Sequence, residues 1–171
     1  MERGADLPEG LETIVADSFR GSSSWRPVGR PIPYRSSYEH EESGCLVTHT
    51  LYDLGERTAV GDLKASAMLL STTQNRDLSK IEPVILSLPF TTDPLIGDDR
   101  SDLLSMEFAA YSAGDVTKTI WAARAIEKVG KGFVVAVTCR TDDELVAAFK
   151  ETTELLAFGL FDPAVFGVVE P

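Results

Sequence analysis

Leu104-Ser-Met-Glu-Phe-Ala-Ala-Tyr111, the run Thr117 to Lys128, and Phe133-Val-Val-Ala-Val-Thr-Cys139 follow one another with only short polar, Gly-containing turns between them. Each alternates in the period-2 manner of a β-strand. On the first run Leu104, Met106, Phe108 and Ala110 share a face. On the second, Ile120, Ala122 and Ile126 oppose Thr119, Trp121, Ala123 and Ala125. On the third, Phe133, Val135, Val137 and Cys139 share a face, with Val134 and Ala136 behind. Three such strands in succession form an antiparallel meander. Both faces of the last two are apolar, so the sheet is expected to be covered on both sides over part of its length.

A helix follows at once. Thr141-Asp-Asp-Glu144 has the spacing of a capping box, and Asp142 and Asp143 suit the positive end of the helix dipole. Leu145, Ala148, Phe149, Thr152, Leu156 and Gly159 line one stripe, and Gly159 with Asp162-Pro163 is the expected stop. Working back from the meander, Gly44–Tyr52 reads as a strand turning at Asp53–Glu56. Arg57–Ser71 reads as its returning partner with a break at Gly61, although Ala65–Leu70 is also compatible with a helix. Asn75–Ile81 suits one helical turn and Pro83–Leu88 a short strand. Pro8–Arg20 spaces Leu11, Ile14, Val15 and Phe19 for a short helix. Residues 1–7 read as a flexible start, 21–43 as an irregular Pro-, Ser- and Arg-rich segment, and 164–171 as a tail. The fold class is therefore α+β: one domain over residues 1–171, with an antiparallel sheet of about five to seven strands and the C-terminal amphipathic helix packed on one face.

Composition limits function. The chain has 171 residues, enough for one core, and a formal net charge of −11. Such a charge disfavours nucleic acid, whose binding depends on Lys and Arg neutralising phosphates. No apolar run approaches the roughly 20 residues of a membrane helix. The two cysteines, Cys45 and Cys139, have no metal or redox spacing, and free thiols in a cytoplasmic protein are the expectation.

No G-x-S-x-G elbow, phosphate-cradling glycine loop or H-E-x-x-H occurs. Cys45 and His49 share a strand face, and His40 and Glu42 lie near in sequence, but this set lacks the further ligands that a zinc site takes from a second element. Cys139 lies on a core strand, where a thiol is packing rather than a nucleophile. Asp93, Asp98, Asp99 and Asp102 cluster in one loop without the spacing of a calcium loop. No catalytic, cofactor-binding or metal-binding residue is assigned.

The segment Trp25-Arg-Pro-Val-Gly-Arg-Pro-Ile-Pro-Tyr-Arg35 stands out. It holds three arginines and no acid in an otherwise acidic chain, and proline stiffens it. Trp, Tyr and Arg anchor interfaces, so Trp25, Arg26, Arg30, Tyr34 and Arg35 are the candidate partner-binding residues. The bland alternative is a strap whose aromatics plug the sheet. The close of the chain, from Ile120 through Gly132-Phe-Val-Val-Ala-Val-Thr to the capped helix and Phe161, resembles the end of the PsbP-like fold. That group includes photosystem II extrinsic proteins, a nuclear-transport cofactor and bacterial chaperones of secreted effectors. The resemblance covers residues 103–161 and implies a non-catalytic protein that holds another protein. The function expected is thus a protein-binding module (adaptor, chaperone or assembly subunit) whose partner is another protein or a second copy of the chain. A small-molecule binder or small enzyme with a pocket between sheet and helix is the second reading.

Overall fold

The computed structural model describes residues 12–30, 32–55, 61–74, 84–91, 104–113 and 116–161. Strands β1 (Glu12–Asp17), β2 (Trp25–Pro27), β3 (Arg35–His40), β4 (Leu46–Asp53), β5 (Val84–Thr91), β6 (Leu104–Ala113), β7 (Lys118–Ile126), β8 (Lys131–Cys139) and β9 (Leu156–Phe161) form one sheet. Its spatial order is β1-β9-β5-β6-β7-β8-β4-β3-β2. Every junction is antiparallel except β5 with β9. The α+β class holds, and the sheet is larger than the five to seven strands expected.

The meander forms as its alternation dictates, with Ala110 opposite Ala122 and Val135 opposite Ala122 on its other side. Helix α2 (Asp142–Leu155) covers one face. Its cap is the reciprocal pair read from the sequence: Glu144 N–H donates to Thr141 Oγ1 at 3.2 Å, and Thr141 N–H donates to Glu144 Oε2 at 3.1 Å. Leu145 and Ala148 of α2 pack with Val47, Ala122, Phe133, Val135 and Val137. Helix α1 (Asp62–Gln74) covers part of the other face, where Leu70 and Leu69 meet Ala123, Val134 and Trp121. The apolar character of both sides of β7 and β8 is thereby accounted for.

Four segments depart from the sequence reading. Arg57–Ser71 does not return as a strand: α1 begins at Asp62, just after Gly61 at φ 88°. Its inward positions Ala65, Ser66, Leu69 and Leu70 fall on a helical stripe, and the alternation around Ala65–Met68 is coincidental. The helix is tied to β7 by Asp62, whose carboxylate takes Arg124 Nη2 at 2.8 Å and the Glu127 amide at 3.0 Å. Ser66 Oγ accepts the Ala125 amide at 2.8 Å, beyond the last β6–β7 pair at Ala109 and Ala123. Pro8–Arg20 is not helical in its described part. Glu12–Asp17 contains the β-branched run Thr13-Ile-Val15 and pairs with β9, and Phe19 is buried in a 3-10 turn. Helix α2 stops at Leu155, short of Gly159, because Leu156–Phe161 extends to pair with β1. Finally, residues 21–43 are less irregular than expected, since they contain β2 and β3. Asn75–Ile81 and the segments 1–7 and 164–171 lie outside the described residues.

The expectation of free thiols is also overturned. Leu46 pairs with Thr138, so Cys45 and Cys139 stand opposite each other one step further along β4 and β8. Their Cα atoms are 4.5 Å apart, the spacing of a non-hydrogen-bonded antiparallel pair, and the sulfurs are bridged. The disulfide is buried beneath the first turn of α2. Among the described residues, no helix is long and apolar enough to cross a membrane.

Candidate functional site

The Trp25–Arg35 segment divides into a buried half and an exposed half. Trp25 is a correction to its expected role as an interface anchor, because it is only 4% exposed. Its indole packs edge-on against Phe19 and His40, with centroids 5.2 and 4.9 Å away, and its Nε1–H donates to Glu151 Oε2 of α2 at 3.0 Å. Strand alternation explains this. Trp25 and Pro27 stand opposite His40 and Tyr38 on the face under α2, whereas Arg26, opposite Glu39, points to the other face. Pro27 also lacks an N–H, which blunts the outer edge of this last strand.

The exposed half is the turn into β3. Arg35 N–H donates to Ile32 O at 3.1 Å, closing a four-residue turn with Pro33 second and Tyr34 third. Tyr34 has φ 62°, the only positive φ at a non-glycine residue among those described. Proline followed by positive φ is the type II arrangement, whose third position ordinarily takes glycine. The conformation is fixed from two sides, because Leu51 N–H of β4 also donates to Tyr34 O at 2.8 Å. The Tyr34 side chain is 73% exposed and that of Ile32 is 55% exposed.

The arginines differ from one another. Arg26 is committed to Glu39, with Nη2 to Oε2 at 2.5 Å. Arg30 and Arg35 are exposed and make no ion pair among the described residues. Asp53, which lies toward the same end of the sheet, is bound by Lys131. Glu41 and Glu42 sit at the opposite end of β3, roughly 20 Å from Arg35 at strand rise, which is beyond the Debye length at physiological salt. One end of the hairpin is therefore cationic and aromatic, and the other is acidic.

Beneath this turn lies a group of side chains that sequence reading did not assemble. Asp17 Oδ2 accepts from Tyr38 Oη at 2.5 Å and from His49 Nε2 at 2.9 Å, and its Oδ1 accepts the Phe19 amide at 3.1 Å. Burial pushes the Asp17 pKa up, but the His49 and Tyr38 hydrogen bonds, the His49 charge and the Phe19 amide outweigh it, so the net shift is downward. Burial, and then the bond to Asp17, raises the pKa of Tyr38. The Phe19 and Tyr38 rings stack at 4.8 Å. This constellation pins β1 to β3 and β4. The available sequence signal was His49 itself, which shares with Cys45 and Val47 the core-facing parity of β4 and so needs a buried partner.

The residues weighed as metal ligands are occupied differently. Cys45 is in the disulfide and His49 is on Asp17. His40 Nδ1 accepts the Ser43 amide at 3.3 Å, while its Nε2 lies 3.6 Å from Glu151. Asp93, Asp98, Asp99 and Asp102 lie outside the described residues. No protein-family model matches this chain, and no curated protein matches it.

Proposed function

We propose that the chain is a protein-binding module that engages its partner through the Ile32–Arg35 turn. The observation that carries this reading is Tyr34. A bulky side chain at positive φ costs about 1–2 kcal/mol relative to the ordinary regions, and Tyr34 recovers nothing through burial, because its ring stands in solvent. Strain kept at an exposed aromatic, beside an exposed Ile32 and uncommitted arginines, is the profile of a contact surface held ready. The resemblance of residues 103–161 to the PsbP-like fold supports the same class of role: adaptor, chaperone or assembly subunit. The buried disulfide favours an oxidising compartment, so the cytoplasmic location expected from free thiols is not kept in this reading.

The test is site-specific photo-crosslinking. Tyr34 is replaced by a photoreactive phenylalanine analogue, with Val146 on the exposed side of α2 as control, and the protein is returned to its native setting. A discrete polypeptide adduct is expected from position 34 and not from 146. Unlabelled parent protein should compete it away, and the Tyr34→Gly variant should not. Equal adducts from both positions, or none from position 34, would overturn the reading.

A further inference from the structure

We infer that the segment docking on this turn is an acidic polypeptide stretch with interspersed apolar residues, an inference that rests on the reading of the turn as a binding site. The turn presents two kinds of group at once. Ile32 and Tyr34 offer apolar and aromatic area. Arg30 and Arg35 offer guanidinium forks with no acid engaging them among the described residues, and bidentate pairing with carboxylate is their strongest available bond. Arg26 is already neutralised by Glu39, and Asp53 by Lys131, so the local field comes from the two free cations. The rest of the molecule is anionic, with a formal net charge of −11. A uniform polyanion such as duplex nucleic acid or a sulfated polysaccharide would gain at this patch and be repelled beyond it. A short acidic segment gains the contact without that repulsion. Its apolar residues would cover Ile32 and Tyr34, which a purely ionic ligand leaves wet.

The probe is a labelled synthetic peptide in which Asp and Glu alternate with Leu and Phe, titrated by fluorescence anisotropy against the full chain. Controls are the same peptide with Asn and Gln in place of its acids, a sulfated polysaccharide, and duplex DNA. The acidic peptide should bind most tightly, with affinity falling steeply as salt rises. Arg30→Ser with Arg35→Ser should weaken it about tenfold, the scale of one lost charged contact. Arg30→Lys with Arg35→Lys, which keeps charge and loses the fork, should fall between, and it decides the matter if the serine variant fails to fold. The inference is overturned by equal binding of the neutral peptide, by tighter binding of the polysaccharide or DNA, or by arginine variants that bind as the parent does. A specific adduct from position 34 in a protein with no affinity for the acidic peptide would remove this partner class and leave the binding turn standing.

Discussion

Two residues carry opposite lessons about cost. Tyr34 holds a backbone conformation that glycine adopts freely, so Tyr34→Gly should raise stability by about 1 kcal/mol, read as a higher denaturant midpoint. A lower midpoint would mean that the ring makes contacts that stabilise the fold. Asp17 is the reverse, a partly buried carboxylate made favourable by its three donors. Its pKa is lower in the folded chain than in the unfolded one, so the stability it contributes is present above about pH 4, the unfolded value. That contribution is lost as pH falls through the folded value. Asp17→Ala should cost about 2 kcal/mol at neutral pH, because it leaves donors unsatisfied, and the deficit should shrink below about pH 4. A deficit that does not change with acid would show that Asp17 is not the titrating group. Neither residue was fully legible in advance. Tyr34 was picked out by composition, but its strain depends on a turn closed by Leu51 from another strand. Asp17 gathers its partners from β3 and β4, which no local pattern reveals.

At the scale of elements, legibility followed how local the determinants are. The meander and α2 depend on alternation, tight turns and a capping box, all contained within a few residues, and they form where the pattern placed them. Segments β1, α1 and β9 were misread because their state is decided by distant partners. Residues 156–161 could have continued the helix, yet they extend because β1 lies alongside. Trp25 was taken for an exposed anchor because only the register of β2 on β3 shows which face it meets. The orientation of α2 is directly testable. Leu145 is buried against the sheet and Val146 is exposed. Leu145→Ala should cost about 2–5 kcal/mol and Val146→Ala less than about 0.5. Equal costs at the two positions would contradict the packing described.

The whole molecule is one wide sheet whose two end strands, β1 and β2, are brought toward each other across the α2 face. Asp17 reaches Tyr38 and His49, and Phe19 reaches Trp25. The Cys45–Cys139 bridge fastens β4 to β8 inside this arrangement and spans 94 residues of sequence. Reduction, or Cys45→Ala with Cys139→Ala, should cost about 3–4 kcal/mol, seen as a lower Tm; an unchanged Tm would show that the bridge adds nothing to the fold. With the core secured there, the cationic turn stands at one end of an acidic body, and the account makes it the molecule's binding surface. Hydrogen exchange across the full chain, with and without the polypeptide captured at position 34, tests that most directly. The account predicts slowed exchange concentrated in amides 28–37 and the adjoining β4 amides, with the outer side of α2 unchanged. Slowing on α2 or along β1, with none at 28–37, would contradict it.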